Sequence, residues 1–373
     1  MDLIAEMLLL NLRTPEARLV ETVQLRPAMV RRLTRLPLVG RWRIVGTADR
    51  VVNRFWDYPR WLRPQGEDFD LFHVIDHSYA HLVKSLPAGR AIVSCHDLDA
   101  FQGALPGSRG GSLAGRIVGR RLLEGLAAAR RVICGSEATR DELLAHGLVS
   151  PLSVTVVRYG VHPTCTHRPE AGADREAEAV LGPVDANRPE LLHVGSTIDR
   201  KRIDVLLRVF AAARRDSPSL RLIRVGDTFT PDQRHLVSRL QLDDHVTVLP
   251  FLERHVLAAV YRRAALLLQP SDREGFGLPV AEAMACGTTV VASDLAALRE
   301  AGGPAATFCP VGDVPRWTEA VSSLLSERAT DPDRWQARRT AGIVQAQQFD
   351  WREHARRMTT IYRELTTDQD VYR

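Results

Sequence analysis

The sequence predicts an α/β protein built on two doubly wound parallel sheets. Short apolar runs alternate with helical patterns along most of the chain. The runs are continuously apolar, as strands covered on both faces are, and one polar, Pro/Gly-rich stretch divides them into two sets. In the first set "FDLFHVID" (69–76), "RAIVSCHD" (90–97), "RRVICGS" (130–136) and "SVTVVRYG" (153–160) read as strands. Helices are expected between them over 114–129 and 136–147, the second with Ser136 as N-cap. Residues 162–190 read as a linker. The second set is "ELLHVGS" (190–196), "LRLIRVGD" (220–227), "HVTVLP" (245–250), "ALLLQPS" (265–271) and "TTVVASD" (288–294). Ligands of such sheets bind beyond the carboxyl ends of the strands, and a cleft between two such domains is a natural site.

Length and composition bound the function classes. The 373 residues are enough for two domains, and 45% hydrophobic with 25% charged residues is ordinary for a globular chain. No apolar run reaches the roughly 18–20 residues of a membrane span. The start lacks the basic and small-residue features of a signal peptide. Five scattered cysteines with no CxxC pair indicate neither a zinc ribbon nor a disulfide framework, which fits a reducing, cytoplasmic setting. Only Lys84 and Lys201 are lysines, against 48 arginines. Residues 1–170 hold 23 basic and 17 acidic side chains, a balance of +6, and the rest hold 27 and 28, a balance of −1. The first half is therefore expected to meet an anionic partner. Arginine excess without a recognition motif does not indicate nucleic-acid binding.

The stretch "SDREGFGLPVAEAMACG" (271–287) carries the chemistry. A strand exits into a glycine-containing loop, and a helix is expected from near Pro279 to Gly287. Gly275 and Gly277 let backbone approach a ligand, and the helix N-terminus suits a phosphate. Glu274 and Glu282, eight residues apart, would repel phosphate but accept hydrogen bonds from sugar hydroxyls. Amides for a diphosphate and acids for polyols on either side of it describe a nucleotide-sugar site. An acid-capped helix with a solvated Glu282 is the plainer alternative. A second cluster, "HVGSTIDRKRID" (193–204), places Arg200 and Lys201 between a strand ending at Gly195 and a helix beginning near Ile203. Fixed cations there would stabilise charge on a departing diphosphate. His96 ends the strand "IVSCHDL", where a buried, satisfied histidine is the alternative to a functional one.

The 271–287 string resembles the donor-site signature of the family-4 retaining glycosyltransferases, which have the GT-B fold. The resemblance implies that Glu274 contacts the donor sugar and Glu282 the ribose. Gly275, Phe276, Gly277 and Leu278, through Pro279, would bind phosphate and sugar. Residues 195–202 resemble the family's "G-T-x-x-P-R-K-N" segment, with Asp199 for its proline and Arg202 for its asparagine. Gly195, Ser196, Arg200 and Lys201 then belong to the donor diphosphate site. "VSCHDL" resembles a string that places its histidine, here His96, beside the transferred sugar. The neighbouring "DLD" (97–99) mimics the Asp-x-Asp metal motif of the other major glycosyltransferase fold, but three residues match weakly and no essential metal or cofactor is expected. Phe251 and Leu252 would flank the base, and "FDWREHARRM" (349–358) resembles the family's closing helix. The resemblance covers roughly residues 65–360.

These readings give an acceptor-side Rossmann-like domain over 1–165, a nucleotide-sugar-binding one over 186–345, and a tail at 346–373 whose helix crosses back to the first. The implied activity is retaining transfer of a hexose to a hydroxyl of a glycan, lipid-linked or polysaccharide precursor. The chain departs from the family pattern at its start: "MDLIAEMLLLNLR" looks like the first helix, so a truncated start or a missing first strand is expected. A longer chain with no more stability or activity would count against truncation. Residues 26–43 carry six arginines among apolar residues and fit either a peripheral contact with anionic lipid or a solvated helix and turn. Two other functions stay open: an inactive relative acting as a scaffold, told apart by donor hydrolysis, and a sugar-nucleotide epimerase, told apart by its products.

Overall fold

Parallel sheets form in each of two units of a computed structural model that describes residues 2–14, 20–35, 43–105 and 112–370. One unit is Met1–Tyr159 with Trp351–Arg373, and the other is Gly160–Asp350.

The first unit begins with α1 (Asp2–Leu12), α2 (Arg43–Val52) and α3 (Tyr58–Leu62), with a π-helical turn at Asn53–Asp57 joining the last two. There follow β1 (Phe72–Val74), β2 (Ala91–Cys95), α4 (Leu113–Ala127), β3 (Arg131–Cys134), α5 (Glu137–Ala145) and β4 (Val154–Val156). The strands lie in the order β1-β2-β3-β4, all parallel. Ser136 caps α5 as expected, its Oγ accepting from the Thr139 N–H at 3.1 Å. Side chains alternate across the sheet. Val93, Cys95, Val132 and Cys134 face a core shared with Leu122 and Leu126 of α4. Ile92 and Ile133 face Leu8 and Leu12 of α1 and Ala355, Met358 and Ile361 of the last helix, α14 (Trp351–Asp370). Each large apolar side chain buried there contributes roughly 1.5–3 kcal/mol, which is what holds a helix so distant in sequence against this sheet. Residues 36–42, part of the arginine-rich stretch, lie outside the described residues; Arg26, Arg31, Arg32 and Arg35 are exposed.

The second unit runs α6 (Ala171–Leu181), β5 (Glu190–Val194), α7 (Ile203–Asp216), β6 (Arg221–Val225), α8 (Pro231–Arg239) and β7 (Val246–Leu249). It continues with α9 (Arg254–Arg263), β8 (Leu266–Gln269), α10 (Leu278–Ala285), β9 (Thr289–Ser293), α11 (Ala296–Gly302) and β10 (Thr307–Cys309). It ends with α12 (Val314–Thr330) and α13 (Pro332–Ala346). The strand order is β10-β9-β8-β5-β6-β7, all parallel. From β5 the chain winds outward through β6 and β7. It then returns to β8 on the other side of β5 and winds outward again. The topological switch point therefore lies between β5 and β8, and a ligand of this sheet belongs beyond their carboxyl ends.

The expected linker at 162–190 is corrected. Its middle is α6, capped by Glu170, whose carboxylate accepts from the Gly172 and Ala173 N–H groups at 3.1 and 2.9 Å. Ala173, Ala177 and Leu181 recur every four residues and enter the core of this unit. The unit also starts earlier than residue 186 and ends later than 345: the Val161 N–H donates to the Phe349 carbonyl at 3.0 Å, which ties its two ends together.

Candidate functional site

Two loops meet at the switch point. The loop after β5 carries Gly195, Ser196, Arg200 and Lys201, and the loop after β8 carries Glu274 and Gly275. A main-chain bond fastens them, the Asp272 N–H donating to the Arg200 carbonyl at 2.9 Å. The cations and the first acid, 73 and more residues apart in sequence, are in direct contact. Lys201 Nζ donates to Glu274 Oε1 at 2.6 Å and Arg200 Nη1 to Oε2 at 3.0 Å. Gln269 Nε2 and Ser271 Oγ each donate to Oε1 at 2.7 Å. The Glu274 side chain is 7% exposed. Burial alone would raise its pKa, but the charges of Lys201 and Arg200 and the bonds from Lys201 and Ser271 outweigh it and hold the carboxyl below its ordinary value. Three donors crowd Oε1 and one reaches Oε2, so a further hydroxyl would bond at Oε2. Glu274 is therefore less open than an acid reserved for sugar hydroxyls: it also orders the two cations.

Gly277 is the N-cap of α10 at φ 100, a conformation that favours glycine, and a Cβ there would lie 2.8 Å from Leu298 Cδ2. The helix starts at Leu278 with Pro279 in its first turn, as the sequence indicates. Phe276 turns inward, its ring edge-on to Phe349 at 5.4 Å, so its side chain serves the core. Glu282 lies on the same helix but does not join the cations. It is buried, and Tyr261 Oη donates to its Oε2 at 3.0 Å. Burial pushes this carboxyl up to about 7, with the Tyr261 bond and the charge of Arg254 acting against the rise. The solvated Glu282 of the plainer alternative is excluded. Phe251 is exposed, and Leu252 is half-buried against the core.

His96 belongs to the first unit, at the end of β2, and takes the plainer of its two expected roles. Nε2 donates to the Ile75 carbonyl at 2.6 Å, and Nδ1 accepts from Tyr159 Oη at 2.5 Å. Both ring nitrogens are thus engaged within the protein, and neither is left for a sugar hydroxyl. Burial pushes its pKa down to about 4, assisted by the nearby His77. Asp97 of the "DLD" string accepts from the Asp99 N–H at 3.0 Å and lies 3.4 Å from His77 Nε2, while Leu98 is in the core.

Sequence reasoning missed Gln269, Ser271 and Tyr261. The signal for the first two was a polar pair at the tip of an apolar strand, in "LLLQPS". Tyr261 sits in a helix whose pattern did not mark it. His193 was also missed: it is fully buried at the end of β5, and neither ring nitrogen has a hydrogen-bond partner among the described residues. Burial and the positive charges of Arg224 and Lys201 push its pKa down to about 3, so it is a neutral neighbour of the cations.

A doubly wound unit with cations and a carboxylate clustered at its switch point offers charged groups where ligands of such sheets bind. The comparisons identify the family. A profile described as glycosyltransferase family 4 matches residues 12–164, and one described as glycosyl transferases group 1 matches 188–327. The D-inositol 3-phosphate glycosyltransferase 1 of Catenulispora acidiphila is 32% identical over 85% of this chain and 77% of its own. The chain belongs to family 4 of the glycosyltransferases. A D-inositol 3-phosphate glycosyltransferase of Kineococcus radiotolerans is 34% identical over 70% of this chain, and the match spans 62% of that relative's length. Among solved structures, Anabaena HepE in complex with UDP and glucose superposes with a TM-score of 0.67 at 18% identity, over 83% of this chain and 82% of that one. That likeness gives the fold, which is of the GT-B class.

Proposed function

We propose that this protein is a retaining glycosyltransferase that moves a hexose from a nucleotide-diphosphate sugar to an acceptor hydroxyl. The carrying observation is the contact of Arg200 and Lys201 with Glu274 at the β5–β8 switch point. The donor diphosphate lies along the two cations, which offset the charge that grows on the leaving oxygen. Glu274 holds the cations in place, and its Oε2 takes a hydroxyl of the sugar. Glu282, steadied by Tyr261, takes the ribose. No carboxylate of this cluster is placed as a nucleophile, so the reading is front-side displacement, with the leaving phosphate assisting deprotonation of the acceptor. The reading requires no metal, because the cations already supply the countercharge.

The nucleotide-sugar class is supported by the UDP and glucose in complex with the HepE neighbour, and a phosphorylated polyol is the first acceptor to try because the relatives above are D-inositol 3-phosphate glycosyltransferases. No helix of the described residues is long and apolar enough to cross a membrane. A peripheral contact at the cytoplasmic face is supported by exposed Met29, Val30, Leu33, Trp56 and Trp61 among exposed arginines of the first unit, with the Arg60 guanidinium stacked 3.1 Å from the Trp56 ring centre.

Thermal unfolding in the presence of a panel of UDP-, GDP- and ADP-sugars tests the proposal. At least one donor should raise Tm for the native protein and lose that effect in Lys201→Ala. If no nucleotide-sugar stabilises the native chain, and none is hydrolysed or transferred, the proposal is wrong.

A further inference from the structure

The second unit carries a cavity at the opposite edge of its sheet from the donor loops. It lies at the amino end of β8, lined by Ala264 and Ala265, the end of α9, and α12 and α13, and encloses about 170 Å³. Its wall holds Arg262, Arg263, Arg328 and Arg339 together with Trp335. Two of these arginines are neutralised. Arg262 pairs with Asp174 at 2.5 Å, and Arg263 forks onto Glu190 at 2.7 and 2.8 Å. The other two have no carboxylate partner among the described residues. The acid nearest in sequence, Glu327, is already held by Arg334 and Arg338. Arg339 Nε donates to the Gly287 carbonyl at 2.9 Å, beyond the end of α10, which leaves the rest of its fork for another acceptor.

We propose that this cavity is a second anion site, separate from the donor site, and that it takes a phosphoryl group between Arg328 and Arg339. Two guanidinium groups that share a half-buried wall repel each other, and Arg328 indeed acts, after burial, to lower the pKa of Arg339. An anion with several acceptor oxygens removes that repulsion and satisfies both forks, which is the geometry arginine offers phosphate. Size narrows the ligand. Pockets for drug-sized molecules span roughly 300–1,000 Å³. A cavity of about 170 Å³ therefore matches inorganic phosphate or a small phosphate monoester better than a nucleotide. Trp335 offers an apolar face to the carbon part of such an ester.

The site stands apart from the proposed transfer reaction and is tested without it. Inorganic phosphate is titrated into the full-length protein at constant ionic strength, with chloride as control, and read by thermal unfolding and calorimetry. The native protein should show saturable stabilisation, roughly 3–7 °C at a hundred times the dissociation constant, the smaller shift if the chain unfolds as one and the larger if the second unit unfolds alone. The effect should survive in Lys201→Ala and weaken at least tenfold in Arg328→Gln. Without phosphate, Arg328→Gln should unfold no lower than the native chain, because it relieves a repulsion, and its affinity for nucleotide-sugars should not change. Should that variant fail to fold, Arg328→Lys is read instead and should bind phosphate at least threefold more weakly. Phosphate binding that is absent from the native protein, that disappears in Lys201→Ala, or that is unchanged in the Arg328 variant read overturns the proposal.

Discussion

At the scale of single residues, the two motif acids separate by environment. Glu274 sits among cations and stays ionised; Glu282 sits among apolar groups and one phenol, and its ionisation is costly. Replacing Glu274 by Gln removes the carboxylate that pairs with buried Lys201 and half-buried Arg200, and urea denaturation should show a loss of about 3 kcal/mol. Glu282 predicts a pH effect of definite sign. Its folded pKa of about 7 lies above the value of 4.5 for an unperturbed glutamate, so between these limits the native state binds more protons than the unfolded chain. Its contribution to stability is therefore complete below the lower limit and falls as pH rises through the window, by at most about 1.4 kcal/mol per unit. Unfolding free energies of native and Glu282→Gln proteins measured from pH 5 to pH 8 should diverge in this way. Donor affinity should move oppositely, improving as Glu282 ionises to accept the ribose hydroxyls.

At the scale of elements, the start of α10 is the most constrained point of the site. Gly277 combines a left-handed backbone with a close approach to Leu298, so Gly277→Ala must shift either the helix start or α11. We expect a cost of about 1–3 kcal/mol and a loss of donor binding larger than the loss of stability explains, measured by paired denaturation and titration. Arg202, where the family motif has asparagine, is left-handed too at φ 47. It forks onto Asp204 at 3.0 and 3.0 Å, a local partner that helps hold a conformation an arginine rarely adopts.

At the scale of the whole molecule, the uneven charge has a structural counterpart. The exposed arginines of residues 26–35 and the exposed tryptophans of the segment from α2 onward lie in the same unit. Co-sedimentation with vesicles of anionic lipid should exceed that with neutral vesicles, should fall with added salt, and should drop further in Trp56→Ser. Equal partition onto both kinds of vesicle, insensitive to salt, would remove the lipid contact from the reading.

The sequence by itself determined the class of fold, since nine strands were legible as apolar runs with helical patterns between them. It also made the proposed donor motif legible, because Glu274 through Leu278 and Glu282 follow one another on a single strand–loop–helix whose spacing is local. Tertiary structure alone decided which groups meet. The β5–β8 pairing brings Lys201 onto Glu274, and no local pattern encodes that adjacency. Burial decided the rest: it made α6 a packed helix inside an apparent linker, turned His96 into a satisfied core histidine, and raised Glu282 toward neutral pH. Each of these depends on how much water a side chain keeps, which is a property of its neighbours in space.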